Sequence, residues 1–275
     1  MGSRVLDLPE RAGTPAHPAR RMPPTRLSAL LLPLLVLGGL ETAVRLGWLP
    51  ANLMPPPSEV AGTLAWLARH GLAAHLGASG ARVALGFLGG AGAAVALGAL
   101  VALDARAARL LDPSLQALRA IPSLAWVPLL LLWFGIDELP KLLLIGIGAF
   151  FPVYTGVVSG IQGVDRKLVE VGLLYRLDKP ALVRRVLLPA ALPAILTGLR
   201  NGLALAWMFM VAAELIAASR GLGYLLSDGR ETSRADIVLA AIVLLALLGK
   251  LSDMAMVALE RRLLAWRDTH GGARP

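Results

Sequence analysis

A chain of 275 residues that is 56% hydrophobic, with a mean hydropathy of +0.68, is no ordinary soluble domain. Its apolar residues collect in blocks of roughly 20, the length a bilayer core demands, and its net charge of +9 gathers at block ends, where it reports topology rather than nucleic-acid binding. With no Cys, disulfides, thiolate metal sites and cysteine nucleophiles are excluded.

Residues 1–26 are rich in Pro, Arg and Ala without hydrophobic period, which predicts a disordered cytoplasmic tail. The first apolar block, Leu27 to Leu49, comes after Arg20, Arg21 and Arg26 as a signal peptide would. It is too long for one, carries Glu41 and Arg45, and lacks an A-x-A cleavage site, so it reads as a first span. Residues 50–77 hold a Pro-rich connection and an amphipathic segment, Glu59 to His70, expected to lie on the bilayer surface. The second span is Ser79 to Leu103, with Gly86-x-x-x-Gly90; the third, Leu115 to Phe134, contains Pro122 and Pro128, both expected to kink it. Block four, Leu139 to Ile161, has Pro152 and Gly156-x-x-x-Gly160, while blocks five and six are Ala190 to Ala218 and Ile237 to Leu259.

The expectation is an all-α fold with six membrane-spanning helices in a domain of residues 27–260, and a polar cytoplasmic tail over 261–275. Positive charge agrees with that count. With the N-terminus inside, the segments assigned to the cytoplasm hold 18 Lys or Arg and those assigned outside hold five. An even number of spans with both termini cytoplasmic results.

Between spans four and five, Asp165 to Pro193 forms the longest charged stretch, with six Lys or Arg against three acids. It reads as a helix-turn-helix. Asp165 is placed to cap a first helix, Leu177 to Pro180 makes a turn with Pro180 in the first turn of a second, and Pro189 and Pro193 are expected to end or bend that second helix. Leu168, Val169, Leu173, Leu174 and Leu177, then Leu182, Val183 and Val186, recur at helical spacing. Two amphipathic faces have apolar surface to bury, against the bundle or against a soluble partner.

No catalytic constellation is present, so the chain does not read as an enzyme. The four His are scattered without metal-ligand spacing. Gly249-Lys250 lacks both the earlier Gly and the Ser or Thr of a phosphate loop, so any ATP used is bound by another polypeptide and no cofactor is expected. Charges inside spans cost a few kcal/mol and normally face a partner or a wet cavity. Glu41 and Glu214 are such residues; for Glu214 a pathway or gate role and a structural, hydrogen-bonded role both remain open. Arg200 and Asn201 open the fifth span near its cytoplasmic side, where Arg can snorkel.

Glu170-Val171-Gly172, Arg176 and Val186-Leu187-Leu188-Pro189 together resemble the EAA loop of binding-protein-dependent ABC importers, matching its length without a gap. Gly172 stands where the family has a second Ala, and Arg176 where it has Gly. Because Arg takes a positive φ less readily than Gly, the first helix is expected to run on further before turning. Ile121 to Pro128, Leu132 to Ile136, Ala149 to Tyr154 and Gly221 to Tyr224 are similar to the permeases for aliphatic sulfonates, with taurine and nitrate importers as close relatives.

That resemblance implies a multi-pass permease of the bacterial inner membrane, paired with a second copy, two cytoplasmic ATPase subunits and a periplasmic or lipid-anchored binding protein. It implies that Asp165, Glu170, Val171, Gly172, Arg176, Leu177, Pro180, Val186, Leu188 and Pro189 form the ATPase-coupling loop. Glu214, Trp126 and Asn201 are expected along the substrate path, and Arg82 and Arg200 could attract a sulfonate. The alternatives are taurine, nitrate or another small solute as cargo, or an ion-coupled secondary transporter. The last requires several intramembrane acids or inverted repeats, and the sequence shows neither.

Overall fold

A computed structural model describes residues 26–266, and among them every regular element is a helix. The expected tails fall largely outside the described residues. Helix α1 runs Arg26–Arg45, α2 Pro57–Arg69, α3 Leu72–Leu103 and α4 Ala105–Ala120. A 3₁₀ turn, Ser123–Trp126, leads into α5, Val127–Phe134, and α6 comes next at Glu138–Gln162. The polar stretch gives α7, Arg166–Leu174, and α8, Lys179–Leu182, joined by a π-helical turn, Val183–Leu187, to α9, Leu188–Ala217. Helices α10, Leu222–Glu231, and α11, Ala235–Leu263, complete the chain.

Four stretches are long and apolar enough to cross a membrane singly: α3, α6, the run Lys179–Ile216 and α11. The bent pair α4 with Ser123–Phe134 makes a fifth by length and composition. The described residues thus supply four spans, or five with the bent pair, against the six expected from the sequence.

Helix α6 is the centre, packed most extensively against α9 on one side and α3 on the other. With lipid as apolar as leucine, such helices associate by close approach, and small residues make that possible. A Cβ on Gly90 would collide with the carbonyl oxygen of Gly146, and one on Gly156 would fall 2.8 Å from the Cα of Gly198. Both glycine pairs marked in the sequence therefore sit where backbones touch.

The third expected span is not one kinked helix. At Ile121 the chain is extended (φ −75°, ψ 124°), as a residue preceding proline prefers, and α4 and the segment beyond meet at 89°. Pro128 kinks nothing; it stands in the first turn of α5, where a missing N–H is harmless.

Two expectations about the polar stretch also change. Neither Pro189 nor Pro193 ends the helix, which continues from Lys179 to Ile216. The π-helical turn lies just before Pro189, where Leu188 N–H donates to the Val183 carbonyl five residues back. The widened turn makes room for a ring that would clash in a regular α-helix. Nor does α7 run on past Arg176: that residue adopts φ 53° and the helix stops at Leu174.

The amphipathic segment in α2 is more than a surface float. Val60, Thr63 and Leu67 are buried, and Val60 and Leu67 share a core with Leu222, Leu225 and Ile237. The Thr63 hydroxyl donates to Asp236 Oδ2 at 2.7 Å.

Candidate functional site

Three arrangements concentrate the polar chemistry: the α7 to α8 hairpin at the basic end of the bundle, a groove beside α6 and α9, and a charged cluster at the opposite end.

The hairpin is locally determined. Asp165 accepts from Lys167 N–H at 2.9 Å and Asp178 from Ala181 N–H at 3.1 Å, each capping the helix after it, with Pro180 in the first turn of α8. Helix α7 closes with a full Schellman motif: Arg176 N–H donates to Leu173 O at 2.9 Å and Leu177 N–H to Gly172 O at 3.2 Å. That geometry demands a left-handed residue at position 176, and the two hydrogen bonds hold an arginine there.

Gly172 is the one buried residue of α7. A methyl on it would come within 2.5 Å of Leu182 Cδ1, so the leucine of the second helix occupies the space that an alanine would need. Val186 and Leu177 stand around the same point. The outer face is apolar and open: Leu168, Val171, Leu173, Leu174 and Tyr175 are exposed, Leu174 by 82%. Glu170 is on the surface, paired with Arg166 at 2.9 Å, and Leu188 is half exposed.

At the other end, Glu214 is enclosed (1% exposed) with both oxygens engaged. Ser79 Oγ lies 2.8 and 2.9 Å from its two oxygens, Arg82 Nη1 donates at 2.7 Å and Gly223 N–H at 2.8 Å. Arg82 also forks onto Glu138 at 2.6 and 2.7 Å, and Lys141 reaches Glu138 at 2.9 Å. Two cations and two carboxylates cancel. Gly221 (φ +136°) lets the chain cross the carboxylate, since any Cβ there would collide with it. The Gly221 to Tyr224 motif thus needs its glycines to close over Glu214.

The groove holds about 690 Å³ between the end of α4, α6 and α9, and Arg119, Ser123, Thr155, Ser159, Thr197 and Asn201 supply its polar lining. Tyr154 Oη donates to Asp112 at 2.8 Å and fixes α4 onto α6 beside it. A separate, apolar cavity of about 520 Å³ is lined by Leu85, Leu118, Trp126, Leu142 and Phe150, with Phe151 shared between the two.

Of the three residues expected along a path, the groove receives Asn201. Trp126 faces the apolar cavity, and Glu214 lies enclosed in the charged cluster. Arg82 and Arg200 are both committed to carboxylates, the latter to Asp253 at 2.5 and 3.1 Å. Absent from the expected path residues are Arg119, whose charge the topology already explained, and the hydroxyls of Thr155, Ser159 and Thr197. Their signal is visible in retrospect: Thr155 with Ser159 and Thr197 with Asn201 repeat polar residues one turn apart in otherwise apolar blocks.

Residues 94–265 match the family model described as binding-protein-dependent transport system inner membrane component. The aliphatic sulfonates transport permease protein SsuC of Bacillus subtilis is 42% identical over 247 residues, covering 90% of each chain. The taurine transport system permease protein TauC of Escherichia coli is 35% identical over 84% of this chain and 89% of its own. Among solved structures, a chain of the MetNI methionine ABC transporter in an inward-facing conformation superposes with a TM-score of 0.62. That match covers 70% of this chain and 95% of the other at 19% identity, which speaks for the fold alone.

Proposed function

This chain belongs to the family of binding-protein-dependent transport system inner membrane components, and on that premise we propose that it is the permease of an ATP-driven importer for small organosulfonates. As a family member it is a membrane permease component and not an enzyme, and the family implies ATP-binding subunits and a substrate-binding protein as partners. In the proposed arrangement two copies pair around the solute path, both termini and the α7 to α8 hairpin face the cytoplasm, and the binding protein meets the opposite end.

The observation that carries the mechanism is the unbroken helix from Lys179 to Ile216. The hairpin is not a slack connection: α7 is fastened to α8 and the π turn through Gly172, Leu177, Leu182 and Val186. Helix α8 then continues into α9, so a push on the exposed apolar face of α7 moves a span as a rigid body. In this reading Asp165, Arg176, Leu177 and Pro180 shape the hairpin, while Glu170, Val171 and Leu188 present surface to the ATPase.

Support for a sulfonate cargo is the extent and identity of the match to SsuC; the weaker match to TauC favours taurine as the second choice. The test is to replace Glu170 and Leu188 together, E170A with L188A, in the complex with its ATPase and binding protein. Membrane insertion should be retained while ethanesulfonate uptake is lost. Wild-type uptake by that double variant would remove the coupling role from the hairpin.

A further inference from the structure

The cations carried by α3, α6 and α9 are Arg82, Lys141 and Arg200, and each meets a carboxylate within 3 Å. Arg119, in the last turn of α4, forms no ion pair among the described residues. Its side chain makes one hydrogen bond, a long one from Nη1 to Thr155 Oγ1 at 3.4 Å, so most of its five donors are unused. It borders the polar groove, where Ser123, Thr155, Ser159 and Asn201 also keep their donor hydrogens free of acceptors among the described residues, whereas Thr197 donates its hydroxyl to the Pro193 carbonyl at 2.9 Å. Among the described residues no Asp or Glu lines that groove.

We propose that the groove is an oxyanion conduit in which Arg119 selects for solutes with a singly charged oxyanion head, such as a sulfonate. The proposal rests on the importer reading above and adds to it the residue that sorts the cargo. Arg119 is exposed in the single chain, and its guanidinium without a counter-charge gives the groove a positive potential, which concentrates anions and turns cations away. The neutral donors spaced along α6 and α9 then replace water around the head group one or two at a time. A site with several weak partners suits passage better than a cage, because the solute must leave as well as enter. Arg119 stands at the elbow where α4 meets the next segment at 89°, and this bend brings its charge to the flank of α6.

The test uses the full complex in proteoliposomes, with labelled ethanesulfonate as the probe and two readouts, uptake and ATP hydrolysis stimulated by loaded binding protein. R119Q should lower the maximal uptake rate about tenfold or more, the order expected for losing one charge near the solute, while leaving stimulated hydrolysis within about twofold. R119K should recover most of the uptake. Should R119Q fail to assemble, T197D supplies the second arm: it sets a carboxylate in the same groove as Arg119 and should depress uptake at least about fivefold more than the neutral T197N does. Equal uptake by R119Q and wild type, or an R119K as inactive as R119Q, would overturn the role of Arg119 while leaving the importer reading standing. If wild type hydrolyses ATP but carries nitrate in place of ethanesulfonate, the sulfonate assignment falls and the same variants are read on nitrate. A wild type that carries only neutral or cationic solutes overturns both.

Discussion

Removing Arg82 should be among the most damaging single changes in this protein, and the structure says where the damage comes from. In R82A, Glu138 loses a bidentate partner, but it is 56% exposed and keeps Lys141, so its loss is modest. Glu214 fares differently, because its side chain is wholly enclosed and Arg82 supplies its only opposite charge among the described residues. Stranding a buried carboxylate in this way costs about 3–5 kcal/mol. At about 2–4 °C per kcal/mol for a chain of this size, the midpoint should fall by about 6–20 °C. Tryptophan fluorescence during heating of the detergent-solubilised protein measures this, at one fixed scan rate. The double variant R82M/E214Q should recover most of the loss, since Gln keeps the hydrogen bonds from Ser79 and Gly223 without a charge to bury. A midpoint for R82A within about 2 °C of wild type, less than the shift of a single kcal/mol, would refute the view that charge balance holds this end together. A double variant no better than the single would refute it equally.

The left-handed Arg176 is strained by about 1–2 kcal/mol relative to glycine, so R176G should slow amide hydrogen exchange over Leu173 to Leu177. Faster exchange there would show that the arginine side chain stabilises the turn. Asp104 caps α4 through the N–H groups of Ala107 and Arg106, which hold its carboxylate below the usual range. Its contribution is therefore complete above the ordinary carboxylate value near 4 and fades as pH falls through the lower, folded value. D104N keeps a cap of similar quality and should flatten the acid limb of the stability profile without changing neutral stability; an unchanged acid limb would assign it to other groups.

Much of this architecture is legible without coordinates, because the length of each apolar block and the caps at Asp165 and Asp178 are local facts. Proline is where local reasoning fails. Pro122 and Pro193 both lie in long apolar stretches, yet the chain breaks at the first and continues through the second. What decides is whether the carbonyls freed by the ring find partners and whether the preceding turn can widen, and neither is written near the residue. The Glu214 cluster is hidden for a different reason: Ser79 and Arg82 lie 135 and 132 residues away, so sequence flags an intramembrane acid without showing that it is satisfied. Arg119 is concealed by a rule that works, since positive charge beside a span already has a topological explanation.

The enclosed Glu214 acquires a second meaning once its helix is traced to the other end. The run Lys179–Ile216 rises about 57 Å, so the α8 half of the hairpin and the Glu214 cluster occupy opposite tips of one continuous helix. Polar contacts also hold that helix to α11 midway, through Arg200 with Asp253 and Trp207 Nε1 with Ser252 Oγ at 2.9 Å. If ATP-driven closure displaces the hairpin, the tip at Glu214 moves in proportion unless the cluster resists. The three hydrogen bonds on that carboxylate, from Ser79 and Arg82 of α3 and from Gly223 of the turn, are short and charge-assisted and tie this tip to its neighbours. The helix would then pivot about Glu214 and swing its Leu188 end, opening the groove beside Thr197 and Asn201 far more than the far end of the bundle. A buried ion pair that adds little to net stability would then be retained because it fixes the fulcrum.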